Sequence, residues 1–144
     1  MSKYISEYIL KSEYRCRCCK SLPPIVENGD HLSTAPYREL FETFKKIREK
    51  WGKPIKITSG YRCRHHNEAI GGTQLSTHLF GLALDLDCKD GIEVTELFNV
   101  IEKINTELRV GIYQNGKSFI HIDTGYWIFP RPLAEYHKGA KWYG

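Results

Sequence analysis

Leu82-Ala83-Leu84-Asp85-Leu86-Asp87 is the stretch on which the reading of this chain turns. It alternates strictly, so as a strand it puts the leucines on one face and Ala83, Asp85 and Asp87 on the other. Asp85 is the unusual residue, because an unpaired carboxylate within a half-buried apolar strand costs several kcal/mol. A second segment repeats the pattern. In Phe119-Ile120-His121-Ile122-Asp123 the isoleucines share one face, and Phe119, His121 and Asp123 share the other. Val110 to Tyr113 and Ser118 to Thr124 flank Gln114-Asn115-Gly116-Lys117, and the Asn-Gly pair predicts a hairpin between them.

Outward from these strands, Ile55 to Thr58 alternates as a short strand that ends at Ser59-Gly60. The segment from Tyr61 to Thr77, with Gly71-Gly72 inside it, reads as a long loop, and loops of that length in compact domains usually carry function. Leu40, Phe41, Phe44 and Ile47 recur at helical spacing. They predict an amphipathic helix that opens near Ser33 and Thr34 as capping hydroxyls, tolerates Pro36 in its first turn, and ends near Lys50. Leu97, Ile101, Ile104 and Leu108 predict a second helix from Val94 to Leu108. Pro23-Pro24 and Asn28-Gly29-Asp30 read as a loop closing an N-terminal arm. Two helices with several short strands that are not in βαβ order predict an α+β domain. The chain divides into an arm over 1–32, a core over 33–125 and an aromatic tail over 126–144, expected to form a single domain. The tail aromatics Trp127, Phe129, Tyr136, Trp142 and Tyr143 are expected to pack back on the domain, with the gripping of a glycan as the alternative.

Composition excludes several classes. Apolar residues make up 41% and charged residues 26%, the profile of a folded globular domain and not of a disordered chain. No apolar run approaches the roughly 20 residues that a membrane-spanning helix needs. Met1 to Tyr14 has no continuous apolar stretch of signal-peptide type, so the chain as encoded is expected in the cytosol until exported or released. The net charge of +4 is mild and its basic residues are scattered, so no nucleic-acid partner is expected. Cys16, Cys18 and Cys19 crowd together, whereas Cys63 and Cys88 stand alone. A C-x-C-C cluster can bind a soft metal, yet no C-x-x-C partner stands at zinc-finger spacing. Reduced buried thiols are therefore expected, with one disulfide from the cluster to Cys63 or Cys88 as the alternative.

The candidate site follows from the polar intrusions. His78 stands at the mouth of the Asp85 strand, seven residues before it, and His121 interrupts an apolar strand as Asp85 does. Two histidines and one carboxylate suit a catalytic zinc ion, which keeps a fourth position for water. By alternation alone, each of them also suits a solvent-facing sheet surface, and Asp87 alternates equally well without being chosen as a ligand.

A family resemblance sharpens this choice. Ser59-Gly60-Tyr61-Arg62, Asn67, Gly71-Gly72, Ser76-x-His78 and Gly81-x-Ala83-x-Asp85 resemble the core of the M15 zinc peptidases. Phe119-Ile120-His121-Ile122-Asp123 resembles the second motif of the D-alanyl-D-alanine carboxypeptidase branch. The resemblance spans about Ser33 to Gly125. It implies a hedgehog/DD-peptidase fold, a small antiparallel sheet with flanking helices, and Zn2+ on His78, Asp85 and His121. It also implies that Arg62 reaches a substrate carboxylate, as guanidinium geometry suits, and that Ser76 hydrogen-bonds the peptide. The substrate it implies is the stem peptide of peptidoglycan. Asn67 and His66 are read as shaping the loop.

One position departs from the family. Several M15 members carry an acidic residue three positions before the final histidine, where this chain has Ser118. Asp123, two residues past His121 and on the same face, is the candidate base or, equally by geometry, a residue that orients His121. The activity expected is hydrolysis of a D-Ala-D-Ala bond. The alternatives are a phage-type L-Ala-D-Glu endopeptidase, a zinc-containing wall-binding module without catalysis, and a structural part of a virion.

Overall fold

The computed structural model describes residues 3–128 and 137–144. The chain opens with a small antiparallel pair, β1 (Tyr4–Ser6) and β2 (Ile9–Leu10), then one-turn helices α1 (Lys11–Tyr14) and α2 (Pro24–Glu27). The long helix α3 (Ala35–Trp51) follows, then β3 (Ile57–Ser59), α4 (Arg64–Ala69) and β4 (Ala83–Asp87). Helix α5 (Gly91–Ile104) leads to the hairpin β5 (Arg109–Tyr113) and β6 (Phe119–Asp123), and β7 (Lys141–Tyr143) closes the chain. The architecture is α+β, with a five-stranded sheet in the order β3-β4-β6-β5-β7.

The alternation seen in sequence sets the two faces of this sheet. Leu84, Leu86, Val110, Ile120 and Ile122 are fully buried and join Leu40, Phe41, Phe44 and Ile47 of α3 and Val94, Leu97 and Ile101 of α5 in one core. Gly52, at φ +79°, ends α3 in the left-handed conformation that glycine adopts without steric cost. Asp90 caps α5 by accepting from the Glu93 amide at 2.9 Å.

Several expectations are corrected. The sheet is mixed: β6 is already paired by β4 and β5, so the returning tail adds β7 to the free edge of β5 and runs parallel to it. The Tyr61–Thr77 loop contains α4, whose sequence RHHNEA lacks an apolar stripe and so gave no periodic signal. Pro24 opens a helical turn. Ser33 and Thr34 do not cap α3 with their side chains; both hydroxyls donate to the Asp30 carbonyl, at 2.9 Å each. Helix α5 ends at Ile104, before Leu108, because Asn105 turns extended and its side chain accepts from the Glu107 amide.

The N-terminal segment is packed inward. Ile5, Ile9 and Val26 join the core, and Tyr14 is fully buried. Its hydroxyl donates to the Gly81 carbonyl at 2.6 Å, and its own carbonyl accepts from the Tyr61 amide at 2.6 Å. A Cβ at Gly60 would lie 2.7 Å from the Tyr14 carbonyl oxygen, so this close approach requires glycine. In the tail, Tyr126 and Trp127 donate to Glu39 of α3 and the Trp142 indole is partly buried against the sheet, but Trp127 stays half exposed and Tyr143 points to solvent instead of packing back. Phe129 and Tyr136 lie outside the described residues.

Candidate metal centre

Strands β4 and β6 pair so that Asp85 stands opposite His121 and Ala83 opposite Asp123. His78 arrives from the 3-10 turn Thr77–Phe80, which Ser76 caps by accepting from the His78 amide at 3.3 Å. All six residues singled out in sequence, Arg62, Ser76, His78, Asp85, His121 and Asp123, line one cavity of about 350 Å³. A larger groove of about 920 Å³ runs along Tyr4–Tyr8 and Pro54–Lys56, and its lining holds neither histidine nor cysteine.

Three donor atoms converge on the cavity floor. His78 Nε2 lies 3.2 Å and His121 Nδ1 lies 3.0 Å from Asp85 Oδ1, and one ligating atom from each residue falls within 4.8 Å of the others. The remaining ring nitrogens are occupied. His78 Nδ1 lies 2.6 Å from the Gly60 carbonyl, which can only accept, so Nδ1 carries the proton and Nε2 presents a lone pair. His121 Nε2 donates to Asp123 at 2.6 Å, which leaves Nδ1 facing Asp85. Each histidine is thus oriented by an acceptor behind it, the arrangement that metal-ligating imidazoles use.

The electrostatics fit a cation. Burial resists charge on His78 and lowers its pKa, despite the nearby Asp85 carboxylate. Its Nε2 lone pair therefore faces a carboxylate oxygen, a contact that only a proton or a positive ion relieves. Burial also opposes charge on His121, but the hydrogen bonds to Asp123 and Asp85 prevail and raise it to about 9. Burial would push Asp85 up, yet the histidines hold its carboxyl well below the usual carboxylate range. The imidazolium of His121 fills the role that a metal would take over.

Arg62 closes one wall. Its Nη2 lies 3.7 Å from Asp85 Oδ2, its Nε donates to Ser59 Oγ at 3.3 Å, and its Nη1 donates to Asn67 Oδ1 at 3.1 Å. Asn67 is buried and also donates to the Thr73 carbonyl at 2.8 Å, so it positions Arg62 as well as shaping the loop. A Cβ on Gly72 would lie 2.1 Å from Asn67 Oδ1, which accounts for the second glycine of Gly71-Gly72. His66 does not line the cavity, and exposed Asp87 takes no part in it.

Asp123 is fully buried and crowded with donors. Arg109 Nη1 reaches its two oxygens at 3.0 and 2.9 Å, the Gly125 amide donates at 2.9 Å, and Thr77 Oγ1 donates at 3.2 Å. Burial works against its ionisation, but His121 and Arg109 keep the carboxyl low. Ser118 lies outside the cavity lining, and Asp85 and Asp123 are the only carboxylates among the described lining residues.

Arg109 was missed by sequence reasoning, and Trp142, expected to pack back on the domain, was not placed in the site. The Arg109 guanidinium stacks 4.9 Å from the Trp142 ring, and that ring lies 5.4 Å from the His121 imidazole. Gly111 pairs with both His121 and Trp142, and a Cβ there would come within 2.6 Å of the indole. The missing side chain is what lets the indole reach the cavity.

No curated protein matches the chain. The family model described as Peptidase M15 matches residues 7–123 and so takes in the N-terminal segment as well as the strands of the site. With that match covering most of the sequence and the His78-Asp85-His121 cluster at the centre of its fold, the chain belongs to the peptidase M15 family.

Proposed function

We propose that the chain is a zinc-dependent peptidase that removes a terminal D-Ala from peptidoglycan stem peptides and acts on the wall after export or release. The hedgehog/DD-peptidase architecture implied by the motif resemblance is part of this reading. The observation that carries it is the convergence of His78 Nε2, His121 Nδ1 and Asp85 Oδ1 on one point of a cavity that Arg62 also lines. His78, Asp85 and His121 would hold the zinc ion, whose Lewis acidity activates water and polarises a peptide carbonyl.

The chain's own residues supply position and charge. The Gly60 carbonyl and Asp123 keep protons on His78 Nδ1 and His121 Nε2, so the opposite nitrogens stay available as ligands. Arg109 keeps Asp123 ionised for that task. Asp123, the candidate proton carrier in sequence, is read here as a positioning residue that acts through His121, since its oxygens are already engaged. Arg62, preset by Asn67 and Ser59, binds the C-terminal carboxylate of the substrate and sets its register. Ser76 stands in the lining to hydrogen-bond the peptide.

Digestion of purified pentapeptide muropeptides, followed by mass spectrometry, tests this. Release of one D-Ala is the expected outcome. Cleavage between L-Ala and D-Glu would instead establish the endopeptidase alternative, and binding without cleavage would overturn the enzymatic reading.

A further inference from the structure

Reduced buried thiols are expected from sequence; all five cysteines are free, but only Cys16 and Cys88 are buried. Cys18 and Cys19 are exposed, Cys16 is buried, and Cys63, distant in sequence, is brought beside all three. One sulfur from each of the four lies within 4.8 Å of the others. Cys18 Sγ is 3.4 Å from Cys63 Sγ and 3.7 Å from Cys16 Sγ. A zinc ion with four sulfurs at about 2.3 Å sets its ligands about 3.8 Å apart, close to these separations. Cys88 stands elsewhere, buried beside the Leu86 carbonyl.

From this geometry we infer that Cys16, Cys18, Cys19 and Cys63 form a second metal centre, a closed four-thiolate zinc site that ties the N-terminal segment to the turn carrying Arg62. The surrounding backbone supports it. The Cys63 amide donates to Cys16 Sγ and the His66 amide to Cys63 Sγ, each at 3.3 Å, the kind of outer hydrogen bond that steadies thiolate ligands. Cys16, Cys18 and Cys19 sit on a tight turn closed by Lys20 N to Cys16 O at 2.9 Å and Cys16 N to Ser21 O at 3.0 Å. Lys20 adopts φ +62°, a left-handed conformation uncommon for lysine, at the point where the turn gathers three sulfurs. Cys19 Sγ is exposed and lies 2.8 Å from Ser21 Oγ, a contact that ligation would replace.

Charge is also provided for. Four thiolates around a divalent ion leave a net −2, and Arg15, Arg17, Lys20 and Arg64 flank the ligands in sequence. With every coordination position filled by sulfur, the site has no opening for water and its role is structural. Its mechanical consequence runs through Cys63, the residue after Arg62. Tyr14 already grips Gly60 and Tyr61 from one side, and the ion would hold the same turn from the other.

The site is tested by metal analysis of protein purified with zinc under reducing conditions, comparing the parent chain, His78→Ala/His121→Ala and Cys18→Ser/Cys19→Ser. Each double variant is expected to lose about one equivalent of zinc and to retain about one, because the two sites are separate. Cobalt-loaded parent protein should show the near-ultraviolet charge-transfer band of thiolate coordination. His78→Ala/His121→Ala should keep that band, and Cys18→Ser/Cys19→Ser should lose it. Absence of the band from the parent protein would overturn the inference whether or not either variant folds. So would a parent mass two hydrogens light under native conditions, which would mark a disulfide. Loss of the histidine-bound equivalent alone bears on the catalytic reading and leaves the cysteine site standing.

Discussion

The two clusters of ligating side chains contrast in every physical respect. His78, Asp85 and His121 are buried, stand at a sheet whose register fixes two of them, and are oriented from behind by Gly60 and Asp123. Of the four cysteines, Cys18 and Cys19 are exposed, Cys63 is half-buried at the start of α4 and Cys16 is buried, and three of them stand on one turn. The first cluster is held in place by side-chain hydrogen bonds to the groups behind it, whereas the second is gathered by backbone hydrogen bonds of its turn and by amides that donate to its sulfurs. On the two proposals above, the difference would separate a site that keeps an open coordination position from one that cross-links the chain.

The strongest way to break this contrast is to remove a histidine. His78→Ala or His121→Ala is expected to reduce muropeptide hydrolysis to background while circular dichroism keeps the α+β signature, and substantial residual turnover would show that the triad is not the reacting centre. Next in size is Arg62→Lys. It keeps the charge but loses the planar fork, and kcat/KM is expected to fall about 10- to 100-fold, mainly through KM. An unchanged KM would remove Arg62 from substrate binding. Asp123→Asn probes the support behind His121 and is expected to weaken zinc at that site about 10- to 100-fold, read by competition with a chelator.

How much of this was legible in the sequence differs by element. Asp85 and His121 announced themselves as polar residues in alternating strands, and the Asn-Gly turn located the hairpin. Arg109 did not, because a charged residue at the start of a strand looks like an ordinary surface position. Counting back from the turn pairs Tyr113 with Phe119 and hence Arg109 with Asp123, so the register held the signal that residue type lacked. Strand β7 and Trp142 depend on which sheet edge stays free, and Cys63 joins its partners through long-range contacts such as Tyr14 on Gly60 and Tyr61 and Arg17 on the Ile57 and Thr58 carbonyls. Those contacts between distant parts of the chain leave no local pattern to read.

Two smaller effects sharpen the comparison. Folding raises the His121 pKa from 6.5 to about 9. In metal-free protein its contribution to stability is therefore complete below about 6.5 and is lost as pH climbs through about 9. Zinc needs the neutral ring, so its affinity in the Cys18→Ser/Cys19→Ser background should rise over the same window, by up to about tenfold per pH unit. Thermal unfolding of stripped protein and chelator competition check the two signs, and a flat affinity profile would contradict the assignment of charge to His121. Gly111→Ala places a methyl group against Trp142 and is expected to cost about 1–3 kcal/mol by chemical denaturation.

The most direct test returns zinc to chelator-stripped protein and follows D-Ala release from a stem pentapeptide. No release is expected before zinc, recovery is expected as zinc is added to the parent chain, and none in His78→Ala. Full release from the stripped protein, or from His78→Ala, would rule out zinc-dependent hydrolysis at this site.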